Sequence, residues 1–190
     1  MIGWEPARPL FGDRPAFFGR RMEPVTLGHL TLLTEMGVDY TAAESLDDLA
    51  RMAFVCSRRH EVSRRAVCRP WFGFLLRCWG EHCGSKLNLS QESDRFLEWF
   101  AGQLRGPITK SKASDMEQDG GAPLHANLMA CCLGMLGLSM RETLDLPVKQ
   151  ARQLICAYGE ARGEMKLWTV GDERRRERSV ELGLVEPRRN

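Results

Sequence analysis

Apolar residues recur every three or four positions through most of this 190-residue chain, and no stretch shows the strict alternation of a half-buried strand. That periodicity predicts an all-α fold, an irregular helical bundle of five to seven helices. The start and stop signals agree with it. Thr26 can cap a helix carrying Leu27, Leu30, Leu33 and Met36, with Gly37 placed to close it in the C′ position. Ser45 and Asp48 open a second helix, with Leu46, Leu49, Ala50 and Ala53 in one stripe, ending near Cys56. The segment WFGFLLRCWGEHCG reads as a third, mostly buried helix. Ser90 can cap a fourth, with Phe96, Trp99, Phe100 and Leu104 on one side.

Breaks in this pattern set the organisation. Residues 1–25 hold prolines at 6, 9, 15 and 24 and no periodic face, so they form an extended, irregular N-terminal arm. Residues 26–104 make an N-terminal helical part, and the polar, glycine-containing stretch 105–122 an exposed linker. A C-terminal helical part follows over 123–170. Its first helix starts near Pro123 and is apolar nearly all round as far as Leu138. Ser139 and Glu142 form a capping box, and Pro147 suits the first turn of a last helix with Val148, Ala151, Leu154, Ile155 and Tyr158 in a stripe that belongs to the core. Residues 171–190 form a charged tail, six arginines against five acids.

Composition narrows the partners. With 27 basic and 25 acidic residues, a net charge of +2 points to no polyanion. Seven cysteines, odd in number and scattered through apolar segments, do not suggest a disulfide framework and suit a reducing compartment. The longest apolar run, 128–138, is too short to span a membrane, and the first residues lack the apolar stretch of a signal peptide. No membrane partner is expected.

The chemistry-bearing residues form few constellations. Cys78 and His82 lie four positions apart, with Cys83 adjacent, a spacing that permits metal ligation. The further ligands a structural zinc site needs, His60, Cys68 or Cys56, fall in separate segments without a CxxC or HxxxH. Buried cysteines packing as small hydrophobes are the expected reading, with no metal and no cofactor. Cys56, near His60 and an arginine cluster, is the one cysteine whose surroundings hint at a nucleophile. His29 and His125 sit in apolar helices, where a satisfied core histidine is expected. No glycine-rich phosphate loop, GxSxG, HExxH or paired-carboxylate motif is present, so no catalytic residue is expected.

Two sets of residues suggest binding. Arg58, Arg59, Arg64, Arg65 and Arg69 could meet phosphates, against a plainer reading as a solvated face paired with local acids. The helix, turn, helix of 136–164 could enter a DNA groove, but its last helix carries Glu160 and Glu164 beside Lys149, Arg152 and Arg162, so nucleic acid is not the expected partner. In the arm, Trp4, Phe11, Phe17 and Phe18 have no local segment to bury them. They suit contact with a protein partner, unless the arm packs over its own domain.

The stretches VTLGHLTLLTEMG, LDDLARMAFVCSRRHE, RCWGEHCGSKLNLSQESDRFLEWF and LGLSMRETLDLPVKQARQLICAYGEARGE together resemble small all-helical proteins of tailed bacteriophages, the tail assembly chaperones and tail-completion-type proteins. The resemblance covers most of residues 23–168. It is carried by TLGH at Thr26 to His29, CSR at Cys56 to Arg58, and G-x-S-x-x-E-x-L-x-x-P from Gly137 to Pro147. The 105–122 loop and the cysteines have no counterpart in it. It implies a non-enzymatic tail assembly factor that binds the tape-measure protein or tail subunits, self-associates, and works in the host cytoplasm or within the virion. A nucleic-acid-binding helix-turn-helix module of phage packaging or regulation, and a cysteine/histidine metal-binding protein, are the alternatives.

Overall fold

The computed structural model describes residues 15–43, 45–86, 88–105 and 122–163. They form a short hairpin, β1 (Ala16–Phe17) and β2 (Arg20–Arg21), and then α1 (Leu27–Glu35), α2 (Leu46–Cys56), α3 (His60–Val67), α4 (Phe72–Lys86), α5 (Leu89–Leu104), α6 (Leu124–Gly134), α7 (Met140–Asp145) and α8 (Val148–Ala161). Apart from the hairpin, the described residues are an irregular all-α bundle, as the periodicity predicts. Residues 1–14 of the arm, 106–121 of the linker, and 164–190 with the tail lie outside the described residues.

α1 is the central helix, packed on α2, α3, α6 and α7. Leu27, Leu30 and Leu33 face inward and are fully buried. Both predicted ends hold. The Thr26 hydroxyl accepts from the His29 N–H while His29 Nδ1 accepts from the Thr26 N–H at 3.1 Å, so two orphan donors of the first turn are satisfied reciprocally. At the other end Gly37 has φ +72°, and the N–H groups of Gly37 and Val38 return to the carbonyls of Thr34 and Leu33.

The two helical parts share one core. Residues 25–27 and 146–148 run antiparallel: Leu27 N–H donates to the Leu146 carbonyl at 3.0 Å and Val148 N–H to that of Val25 at 2.8 Å, around a bridge between Thr26 and Pro147. α5 also packs on α8, where Arg152 Nη1 donates to the Leu104 carbonyl at 2.6 Å and closes the end of α5.

Four expectations need correction. Phe17 and Phe18 are buried, so the described end of the arm packs over its own domain. Phe17 meets Phe96 edge-on at 5.7 Å between centroids, and Phe18 meets Phe96 at 5.7 Å and Trp79 at 6.3 Å. Phe18 and Gly19 form the tight turn with φ of +50° and +71°, a strained conformation for a bulky residue that the burial of its ring offsets. α3 takes the helices beyond the expected five to seven, because only His60 and Ser63 of it are buried and no apolar stripe announces it. It is anchored instead by Ser63, whose hydroxyl donates to the Val55 carbonyl at 2.9 Å. α5 is capped by Asn88, which accepts from the Gln91 N–H, and Ser90 lies inside its first turn. Finally, α4 is not mostly buried.

Candidate protein-interaction surface

Apolar side chains occupy most of the circumference of α4, and among the described residues its neighbours cover one side only. On that side Phe72 packs edge-on against Phe54 at 5.1 Å, Trp79 meets Phe54 at 6.4 Å, and Arg20 lies over the Trp79 ring at 4.8 Å. Leu76 is buried. On the outward side Trp71, Phe74 and Leu75 are 46%, 69% and 42% exposed. Leaving so much aromatic surface in water is unfavourable, at roughly 25 cal/mol per Å².

Between α4, α2 and α5 lies an open cleft of about 350 Å³. Leu49 and Ala50 of α2, Leu76 and Trp79 of α4, Leu89 of α5 and Phe18 of the hairpin turn form its apolar wall. Leu46, 61% exposed, stands at its edge beside Asp47, and Arg77 and Glu81 border it on α4. Ser93 of α5 also lines it. That side chain is buried, and its hydroxyl has no hydrogen-bond partner among the described residues.

The arginine cluster is dispersed. Arg58 lies over the Phe54 ring at 4.6 Å and Arg69 over Trp71 at 5.0 Å. Arg64 reaches Glu35 at 3.8 Å, while Arg59 and Arg65 are exposed. Arg64 and Arg65 border a second groove, of about 730 Å³, between α3 and α7. Its charges are mixed: Arg141 faces Glu61 at 3.9 Å, and His60 Nδ1 faces Asp145 at 3.2 Å. The N-terminal turn of α8, where a DNA-reading helix would present its first residues, is held by the bridge to Val25 and Thr26, and Arg152 is spent on α5. Glu164, Trp4 and Phe11 lie outside the described residues.

The cysteine and histidine candidates do not assemble into a reactive centre among the described residues. Cys56 is fully buried, and burial pushes its thiol well above the ordinary range, while His60 turns to Asp145. Cys78 and His82 share the exposed side of α4, and the side chain of Cys83 lies outside the described residues. No group of three His, Cys, Asp or Glu side chains able to hold a metal forms among those described. His29 and His125 are core histidines. His29 is fully buried, with Nε2 2.7 Å from the Arg58 carbonyl oxygen and its ring edge-on to His60 at 6.3 Å, and His125 Nδ1 meets the Tyr40 hydroxyl at 3.1 Å, with burial lowering the imidazole and raising the phenol.

No protein family, curated protein or solved structure matches this chain. No helix among the described residues is long and apolar enough to cross a membrane. Sequence reasoning missed Leu46, Ser93 and the outward face of α4. One signal was present: in WFGFLL, apolar residues follow one another around the helix, more than a single neighbour can cover.

Proposed function

We propose that this chain is a non-enzymatic assembly factor that receives an apolar helix of a protein client in the cleft between α2, α4 and α5. The observation that carries the reading is the cleft itself, an open trough walled by Phe18, Leu49, Leu76, Trp79 and Leu89. An amphipathic helix binds such a trough by inserting one or two large apolar side chains. The resemblance of Thr26 to His29, Cys56 to Arg58 and Gly137 to Pro147 to tail assembly chaperones of tailed phages supplies the client class: the tape-measure protein, or tail subunits, held in the host cytoplasm before the tail is complete.

Co-expression with a tape-measure protein, followed by affinity purification, tests this. The expected result is a complex that survives high salt, and that Leu46→Lys weakens by about tenfold. Recovery indifferent to Leu46→Lys, or binding that collapses steeply as salt rises in the manner of phosphate contacts, sinks the reading and moves weight to the nucleic-acid alternative.

A further inference from the structure

The groove between α3 and α7 is built differently from the cleft and shares no residue with it. Glu61, Arg64, Arg65 and Cys68 recur at the spacing of one helix face, so that face of α3 forms one wall, roughly 10 Å long. Met140 and Leu144, one turn apart on α7, form the other wall together with Arg141. Met140 is 52% exposed and Leu144 is half-buried, which makes the groove apolar between its charges. Those charges are three guanidinium groups and one carboxylate. The acids beside the groove are engaged elsewhere: Asp145 is turned to His60 at 3.2 Å, and Glu142 closes the capping box on Ser139. Two pairs reach the rim, Arg64 with Glu35 at 3.8 Å and Arg141 with Glu61 at 3.9 Å. Both are long and exposed, a kind of pair that contributes little and exchanges readily with another carboxylate. Arg65 joins no ion pair among the described residues.

From these observations we propose that the groove binds a short acidic segment of a partner protein, in which carboxylates flank one large apolar side chain. The apolar side chain seats against Met140 and Leu144, where a methionine adapts to varied shapes. The carboxylates meet Arg65 and Arg141, whose planar forks match a carboxylate in two parallel hydrogen bonds. A wall of roughly 10 Å spans about three residues of an extended chain or about seven of a helix, so the segment is short. A nucleic-acid backbone fits the groove less well. Glu61 stands inside it and repels phosphate, while Arg58 and Arg69 are laid over Phe54 and Trp71 and leave α3 without a continuous basic track. The inference does not rest on the client reading, which concerns the other cleft.

Fluorescence anisotropy tests this with the full chain and a labelled synthetic peptide in which two glutamates precede and two follow a central leucine. At about 50 mM salt the peptide should bind saturably below about 500 µM. Arg65→Glu and Arg141→Glu, at exposed positions that keep the fold by circular dichroism, should each weaken binding at least about tenfold. Glu61→Gln should tighten it about twofold or more, since it releases Arg141 and removes the repelling carboxylate. Arg69→Glu makes the same change of net charge outside the groove and should leave the affinity as it is. A peptide with serine in place of the leucine should bind at least about fivefold more weakly. Bound peptide should also shield Cys68 from alkylation. No saturable binding, equal weakening by Arg69→Glu and Arg65→Glu, or indifference to the leucine would each overturn the proposal. So would a single-stranded oligonucleotide of equal charge that binds more tightly than the peptide. Leu46→Lys should leave peptide binding unchanged, which separates failure here from failure of the client reading.

Discussion

His29 Nε2 donates to the carbonyl oxygen of Arg58 at 2.7 Å. A carbonyl can only accept, so the proton sits on Nε2 and leaves Nδ1 free to accept from the Thr26 N–H. One neutral ring thereby caps α1 and ties it to the turn between α2 and α3. The short motifs at Thr26 to His29, Cys56 to Arg58 and Gly137 to Pro147, far apart in the chain, meet at this joint, since the Leu146 carbonyl and Pro147 close over the same residues.

Acid should therefore loosen the fold through His29. Burial is the main cause that holds its pKa down to about 4 from 6.5, with the hydrogen bond to Arg58 opposing and the neighbouring His60 adding to the depression. As pH falls below 6.5 the unfolded chain takes up the proton first. Stability declines from there until the folded ring itself titrates near 4, a loss of about 3 kcal/mol in all. Denaturant titrations between pH 7.5 and about 4 should show this slope for the parent chain, and His29→Gln should flatten it. An equal slope in both would mean that the acid sensitivity lies elsewhere.

Gly28 serves the same joint through its missing side chain. A Cβ there would stand 2.6 Å from the His60 ring and 2.9 Å from the Leu144 carbonyl oxygen. The ring can shift a little, but the backbone of α7 cannot do so without disturbing the Leu146 and Val148 bonds. Gly28→Ala should cost about 1–3 kcal/mol by overpacking, despite alanine's better helix propensity. Gly73 offers a control on α4, where an added methyl group would meet nothing within 4 Å, and Gly73→Ala should be neutral or stabilising.

Phe96 ties the hairpin to the bundle. It is fully buried and its ring meets those of Phe17, Phe18, Trp99 and Phe100, at centroid distances of 5.7 to 6.0 Å. Phe96→Ala should destabilise by about 3–5 kcal/mol and release the hairpin. Thermal unfolding gives the first number, and amide exchange at Met22, whose N–H donates to the Pro15 carbonyl, reports the second. Undiminished protection at Met22 would show that the hairpin stands without this ring.

Local signals explain which features are legible in the chain alone. Thr26, Ser45, Ser139 and Gly37 act through neighbours within three or four positions, so their roles can be read directly from the sequence. Phe17 and Phe18 are buried by Phe96 and Trp79, some sixty to eighty positions away, and Ser63 anchors α3 through a carbonyl of α2. Nothing local encodes those partners. The face of α4 escapes a sequence reading for a related reason: apolar periodicity says which residues prefer burial, while the number of neighbours available to cover them is a property of the whole fold. The cleft follows from that shortage, since its neighbours leave Trp79 and Leu89 only partly covered.

Thiol reactivity should divide along the same line between interior and surface. Cys56 is fully buried and burial holds its thiol protonated, while Cys68 on α3's end and Cys78 on α4 are exposed. The thiolate is the reactive species, and access is required as well. Brief alkylation with iodoacetamide at pH 8 should modify Cys68 and Cys78 and spare Cys56 until the chain is unfolded. Peptide mass spectrometry reads the difference site by site. Modification of Cys56 in the folded chain as fast as Cys78 would reveal an opening of the α2 and α3 junction that the packing around His29 forbids, and would restore that cysteine as a nucleophile.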